Sequence, residues 1–506
     1  MGADVQPIVV WLRNDLRMDD HEPLWLATLR GQGHVVPVYC VDPRMWANGP
    51  LGFPKMGAKR AQFVIEALAA LRARLQKAGG DLVIRVGHPE AIIPQVAASV
   101  NAKGVYYHEE PTREERTVAD AVIRAVGEAS TVQSMWGATL YHVDDLPYPA
   151  AELPSVFTNF RKDVERQSRV RPPRDAPKTL QALPDGLAPG ELPCLSTFND
   201  SFVREPLDER GVIPFKGGED EANTRLQAYF WEHDALQEYK ETRNGLIGAN
   251  YSSKFSPWLA LGCISPRRIW QQVQAYERQR VKNDSTYWLI FELIWRDFFR
   301  FLGVAAGTSL FKRGGVRGRD YEWSRDKAVF ARWCEGQTGV PFIDANMREL
   351  SATGFMSNRG RQNVGSFLAK TLKVDWRWGA AWFESTLIDY DPTSNWGNWQ
   401  YVSGVGNDPR DRVFNVVGQA KRYDANGAFV RRWCPELKRL PDGIIHEPDA
   451  RPARELQRFG VELGVNYPRP ILDMQALARE YEQRNKSRGR GRNRGNRGRN
   501  RRSRRG

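Results

Sequence analysis

The chain has 506 residues, 41% of them hydrophobic and 26% charged, a balance that excludes a disordered polymer and calls for two or three folded cores. Its net charge of +14 sits at one end: residues 484–506 hold eleven Arg, one Lys and no acid, and removing those twelve cations from +14 leaves +2. Bulk charge therefore does not make the folded part a nucleic-acid binder, and any such affinity has to come from a local patch.

The N-terminus, MGADVQPIVV, enters a strand-like run at once and leaves no room for a signal or transit peptide. Gly2 makes no myristoylation site, because the sixth residue is Gln6. No apolar run reaches membrane-spanning length. Cys40, Cys194, Cys263, Cys334 and Cys434 are odd in number and lack a C-x-x-C pair, which argues against a disulfide framework and against a zinc site. A soluble intracellular monomer of cytoplasm or nucleus is expected, with no membrane partner and no metal.

Along the chain, PIVVWL (7–12), VVPVYCV (35–41), DLVIRV (81–86) and GVYYH (104–108) are short apolar runs rich in β-branched residues. Between the second and third lies AKRAQFVIEALAALRARLQKAGG, with Phe63, Ile65, Leu68, Leu71 and Leu75 at helical spacing and Gly-Gly at its end. The order strand, loop, strand, helix, strand, helix, strand implies a parallel, doubly wound α/β domain over 1–140. No G-x-G-x-x-G follows the first strand, where WLRNDLR stands, so the topology is Rossmann-like without the dinucleotide fingerprint.

A connector is expected over 141–218, Pro-rich from about residue 170 to 215. A mainly α-helical domain follows over 219–480, carried by TRLQAYFWEHDALQEYKETR, SPRRIWQQVQAYERQR and TYWLIFELIWRDFFRFLG. The tail, 481–506, has almost no apolar residue and is expected to be disordered.

Three segments carry candidate chemistry. In YSSKFSPWLALGCISPR, the hydroxyls of Ser252, Ser253 and Ser256 can cap a helix, or hold a diphosphate together with Lys254 and the helix's N–H groups. In FELIWRDFFRF, Glu292 and Arg296 are four apart, the spacing of a plain ion pair, while Glu292 and Trp295 share a face that can grip a flat heterocycle. In DWRWGAAWFESTLIDYDPTSNWGNWQYVSGVG, five Trp residues (376, 378, 382, 396, 399) accompany Asp389, Asp391 and Asn395. Such a run is either an aromatic core or a redox site, since indoles pass single electrons well and acids and amides can hold a redox-active ring.

These blocks, with WLRNDLRMDDHEPL, YKETRNGL and DANMRELSATGFMSNRGRQNVGSFL, resemble the photolyase/cryptochrome family, most closely its cryptochrome DASH branch, over nearly the whole chain except the tail. The resemblance implies an α/β domain joined by a long connector to a helical domain that binds FAD. It puts Tyr239, Ser252, Ser253, Lys254, Phe255 and Ser256 on the phosphate side of the flavin, and Arg296, Asn358 and Arg361 around its cavity. Asp389 and Asp391 match the acids beside the ring and ribityl chain, and Asn395 matches the residue facing flavin N5. An amide there can serve either protonation state of N5.

Trp399, Trp376 and Trp323 match the family's electron-transfer chain, and Glu292 and Trp295 match the acid and indole that meet a cyclobutane pyrimidine dimer. Tyr401 and Gln362 stand where duplex-repairing relatives have Trp and Met, which implies a more polar, weaker clamp and a preference for single-stranded DNA, whose bases unstack at lower cost. Glu114 and Glu115 fall near the acidic position of a 5,10-methenyltetrahydrofolate antenna; a solvated charge cluster at a helix start is the competing reading. The Arg/Gly tail resembles RG-rich RNA-binding segments, so DNA and RNA backbones are both expected partners. The activity implied is a light-driven deoxyribodipyrimidine lyase; a blue-light receptor and a nucleic-acid-binding regulator are the alternatives.

Overall fold

The computed structural model describes residues 5–477 apart from 409 and 411, and residue 479; the Arg/Gly-rich tail lies outside the described residues. Five parallel strands form one sheet in the order β3-β2-β1-β4-β5: β1 (Ile8–Leu12), β2 (Val35–Val41), β3 (Val83–Val86), β4 (Gly104–His108) and β5 (Thr131–Met135). In β1 the alternation of side chains divides one apolar run between two cores. Ile8, Val10 and Leu12 join the core of α1 (Glu22–Arg30) and α2 (Ala58–Lys77), whereas Val9 and Trp11 join that of α3 (Pro89–Ser99) and α4 (Arg113–Val126). The reversal of strand order between β1 and β4 is the doubly wound pattern expected from the sequence.

Three elements differ from expectation. The link from β1 to β2 is the helix α1, not a loop: His21 caps it by accepting the Leu24 N–H at 3.1 Å, and Gly31 ends it. The fifth strand, TVQSM, buries only Met135, so it offered no apolar run to read. The expected connector also contains a helix, α5 (Phe157–Gln167), with Phe157, Phe160 and Val164 buried.

The rest is helical: α6 (Glu219–Gln227), α7 (Pro266–Gln279), α8 (Asp284–Ala306), α9 (Lys327–Cys334), α10 (Pro341–Thr353), α11 (Asn358–Ser366), α12 (Trp376–Thr386) and α13 (Pro392–Ser403), with shorter turns between them. TRLQAYFWEHDALQEYKETR is broken rather than continuous. After α6 it passes through a π-helical turn, and Asp234 adopts a left-handed φ of 52° that stops the helix before Tyr239. No described helix is long and apolar enough to cross a membrane.

The helical part grips the α/β part mainly through α8 and the loop after β1. Asp297 accepts the Leu140 and Tyr141 N–H groups, each at 2.9 Å, and Phe301 stacks on Trp136 at 5.6 Å. Arg300 joins Glu110 at 2.5 Å to Asp391 at 2.8 Å, all three buried. Asp20, fully buried, holds Arg267 at 2.7 Å and Ser265 at 2.5 Å.

Candidate active site

A cavity of about 500 Å³, within the usual range for ligand sites, opens among α8, α11, α12, α13 and the 251–256 loop. Its wall takes in Tyr239, Ser252, Ser253, Lys254, Phe255, Ser256, Glu292, Trp295, Arg296, Asn358, Arg361, Gln362, Asp389, Asp391, Asn395, Trp399 and Tyr401. Residues spread over more than 160 positions thus meet at one hollow. Trp376, Trp323, Glu114 and Glu115 lie elsewhere.

On one side stands the serine loop. None of its serines caps a helix, contrary to one expectation: the short helix Ser256–Ala260 follows Phe255, which makes no side-chain capping bond. The loop is pinned from behind by buried Arg225, which donates to the carbonyls of Ser253 at 2.9 Å, Ala249 at 2.9 Å and Ser252 at 3.1 Å. Lys254 is bent into a left-handed φ of 58° with its side chain buried. Its Nζ lies 3.2 Å from the centre of the Tyr251 ring and 3.4 Å from Ser252 Oγ, and it forms no ion pair among the described residues. Burial, and then Arg225, push its pKa well below the ordinary lysine range. A buried lysine with no ion pair among the described residues, beside serine hydroxyls, suits an incoming phosphate, which would favour its cationic form.

The opposite wall is acidic. Arg361 donates to Asp389 Oδ2 at 2.7 Å, while buried Asp389 Oδ1 has no partner among the described residues and can receive a donor from the cavity. Asp391 is fully engaged: it caps α13 through Ser394 N–H at 2.7 Å and binds Thr393 at 2.6 Å and Arg300 at 2.8 Å. Burial pushes its carboxyl up, but Arg300, Arg296 and these hydrogen bonds hold it at about 2. Asn395 donates one Nδ2 hydrogen to the Ala380 carbonyl at 3.0 Å, which leaves Oδ1 and the second Nδ2–H to offer.

The third wall holds Glu292, Trp295, Gln362 and Tyr401. Glu292 does not pair with Arg296, as its spacing suggested. Arg243 takes it at 2.8 Å, and Arg296 instead donates to the carbonyls of Leu259, at 3.0 Å, and Ala138. Burial raises the Glu292 carboxyl above its ordinary range, while Arg243 and Trp288 pull it down. Trp295 stacks on Phe157 of α5, with ring centres 3.5 Å apart, and meets Tyr401 edge-on at 5.9 Å. Arg412 donates to the Tyr401 hydroxyl at 3.3 Å, and Gln362 accepts from Arg359 at 2.9 Å. Arg243, Arg225 and Phe157 escaped the sequence reading. Arg243 stands in the noted YKETRNGL block, but nothing in its spacing points to Glu292.

Behind the cavity, Trp399 packs so tightly on α12 that a Cβ on Gly379 would fall 2.2 Å from its ring. Trp376, at the start of α12, is fully buried, donates to the Arg313 carbonyl at 3.0 Å and meets Trp396 edge-on at 5.7 Å. Trp323 is half-buried; its neighbour Ser324 accepts the Asp375 N–H at 3.1 Å, which brings Trp323 to the same end of α12. Glu114 is exposed and paired with Lys55, and Glu115 accepts from Thr112, both in the first turn of α4. Asp15, His21 and His108 are close enough to hold a metal ion. Both histidines already hydrogen-bond Asp15, however, at 2.9 and 2.8 Å, and His21 also caps α1.

The comparisons with known proteins agree with this architecture. Residues 8–179 match the family model for DNA photolyase, and residues 288–487 that for the FAD-binding domain of DNA photolyase. The cryptochrome DASH of Gloeobacter violaceus is 52% identical over 92% of this chain and 93% of its own. The chain belongs to the photolyase/cryptochrome family, in its cryptochrome DASH branch. The cryptochrome DASH of Xenopus laevis is 47% identical over 94% of this chain and 92% of its own. The crystal structure of a Synechocystis cryptochrome superposes with a TM-score of 0.91 at 49% identity, covering 96% of this chain and 100% of that one. A class III photolyase from Agrobacterium tumefaciens, 31% identical, superposes at 0.82 over 96% of this chain and 99% of its own. The cavity's lining from Leu289 to Phe414 falls within the segment that matches the FAD-binding domain, and its 239–260 side precedes that segment.

Proposed function

We propose that this cryptochrome DASH protein is a light-dependent lyase that uses FAD to split cyclobutane pyrimidine dimers, preferentially in single-stranded DNA. The observation that carries the reading is that one cavity brings together groups suited to an anion and to a hydrogen-bond donor with a wall of the type that meets a pyrimidine dimer. The first comprises Lys254, without an ion pair, and Asp389 Oδ1, without a donor, among the described residues; the second comprises Glu292, Trp295, Gln362 and Tyr401.

These residues fit FAD. Lys254 and Ser252, Ser253 and Ser256 would hold its diphosphate, with Tyr239, Phe255, Asn358, Arg296 and Arg361 closing the cavity around it. Asp389 Oδ1 would accept from its ring or ribityl chain, with Asp391 tying that wall to α8 through Arg300. Asn395, through Oδ1 or its second Nδ2–H, would serve a ring nitrogen with or without hydrogen. When bound and reduced, FAD supplies the light-absorbing electron donor. Glu292, its carboxyl raised by burial, presents a proton-bearing or charge-stabilising group where negative charge develops on the dimer. Trp399 at the cavity wall, Trp376 in the core and half-buried Trp323 would carry electrons inward.

Tyr401 and Gln362 argue for single strands. Both spend polar groups on arginines and offer less apolar area than Trp and Met, so the wall recovers less of the few kcal/mol that unstacking a duplex costs. Glu114 and Glu115 lie at the seam with the helical part, beside Lys55, which keeps a folate antenna there as part of the proposal. The tail would add salt-sensitive contact with DNA or RNA backbones, outside the described residues. Illuminated repair of a dimer-containing oligonucleotide tests the reading. A chain that photoreduces its flavin normally yet repairs nothing would instead be a photoreceptor.

A further inference from the structure

The connector between the two parts reaches the wall proposed for the lesion. Its helix α5 begins at Phe157, 6% exposed, whose ring lies flat on Trp295 with centres 3.5 Å and planes 8° apart. Two more rings of α8, Phe291 and Phe298, meet Phe157 edge-on at 5.3 and 5.7 Å. Phe291, Trp295 and Phe298 recur at helical spacing on one face of α8, and Phe157 sits against that face. Aromatic pairs usually prefer offset or edge-on arrangements, so the flat pair is held by its surroundings. Two ties hold it. Asn407, just after α13, donates to the Ser155 carbonyl at 2.7 Å, two residues before Phe157. One turn into α5, Arg161 donates to the Tyr287 hydroxyl at 2.7 Å and lies over the Phe291 ring at 5.7 Å.

Resting on the lesion assignment above, we infer that Phe157 is a positioning residue for dimer recognition: by covering one face of Trp295 it fixes the plane of the indole that the dimer meets. Trp295 is half-buried at the cavity wall. Without a ring behind it, an indole there would turn about its side-chain torsions, and an incoming ligand would bear the cost of stopping it. With Phe157 in face contact and Tyr401 edge-on at 5.9 Å, the indole offers the cavity only its other face and its free edge. The wall is thereby set before DNA arrives. The gain goes only to a ligand that touches Trp295, so a strand without a dimer, whose bases need not leave their stack for the cavity, gains nothing.

The test uses the full-length, FAD-loaded protein and a single-stranded oligonucleotide with and without one cyclobutane thymine dimer. Binding is read in the dark by fluorescence anisotropy, and KM and kcat are read under saturating light. Phe157→Leu keeps a large apolar side chain but loses the flat ring. It should weaken dark binding of the dimer strand, and raise KM, by about three- to tenfold, the worth of one aromatic pair. Binding of the undamaged strand, kcat and flavin content should stay at their wild-type values. Where Trp295→Ala has already removed the indole, adding Phe157→Leu should cost the dimer strand nothing further. Should Phe157→Leu fail to fold, Asn407→Ala, which frees Ser155 from the other side, takes its place and should weaken the dimer strand alone by at least about threefold. Wild-type affinity for the dimer strand in the folded variant, an equal loss for both strands, a matching loss of flavin, or a further loss in the Trp295→Ala background would overturn the inference. FAD-loaded wild type that binds both strands equally would overturn the lesion reading itself, a distinguishable result.

Discussion

Asp389 and Asp391 stand two residues apart on one wall and do different work. Asp389 spends one oxygen on Arg361 and keeps the other for a ligand, whereas Asp391 spends both on Thr393, Ser394 and Arg300. Asp389→Ala should therefore lower FAD content by roughly ten- to a hundredfold, the effect of losing a charge-assisted acceptor and leaving Arg361 unpaired. Full flavin retention in the folded variant would remove the assignment. Asp391→Asn should act on stability instead. Its folded pKa of about 2 lies below the unfolded value near 3.9, so its contribution is full above about pH 4 and is lost as pH falls through 2. By linkage that contribution is roughly 2–3 kcal/mol at neutral pH. Urea unfolding of wild type and variant should differ by about that much at pH 7 and converge near pH 2; an equal gap at both would contradict the ion-pair account. Trp399→Phe should slow flavin photoreduction severely while a chemically pre-reduced sample still repairs dimers. Photoreduction at the wild-type rate would mean that the electrons take another route.

Among the elements, α8 has the most demanding position. One face carries Glu292, Trp295 and Arg296 to the cavity, and the next turn holds the α/β part through Asp297, Arg300 and Phe301. Asp297→Ala would leave two buried N–H groups, of Leu140 and Tyr141, without an acceptor. The expected cost is roughly 2–5 kcal/mol, read as a shift in unfolding midpoint at constant m-value; a change below about 0.5 kcal/mol would show that water replaces the carboxylate. This helix was legible because TYWLIFELIWRDFFRFLG is long, apolar and capped by Asn283. Helix α1 was not, although His21, Glu22, Pro23 and Gly31 mark its ends, because nine residues leave little periodicity between two strands. Strand β5 was hidden by its polarity at the sheet edge. In the site, the sequence brought out residues that lie in motif blocks, such as Lys254 and Asp389. It could not pair Phe157 with Trp295 or Arg243 with Glu292, because partners 138 and 49 positions apart meet only through tertiary packing.

For the whole molecule, the α/β and helical parts are joined by buried polar contacts, Asp20 with Arg267 and Glu110 with Arg300, rather than by a loose linker. On the proposed reading, the site's polar grip through Tyr401 and Gln362 would set which DNA the protein accepts, while the twelve cations of residues 484–506 would add affinity for any phosphate backbone at low salt. Preference and affinity are thereby separable. The most direct measurement is blue-light repair of one cyclobutane dimer in an oligonucleotide, single-stranded and in duplex, at moderate salt, by the full chain and by a chain ending near Arg484. The account predicts light-dependent repair at least about tenfold faster in the single strand, the equivalent of ~1.4 kcal/mol of the unstacking cost left unrecovered, with the same preference in both chains. Equal repair of single strand and duplex by the shortened chain, or no repair of either by protein with normally photoreducible flavin, would contradict it.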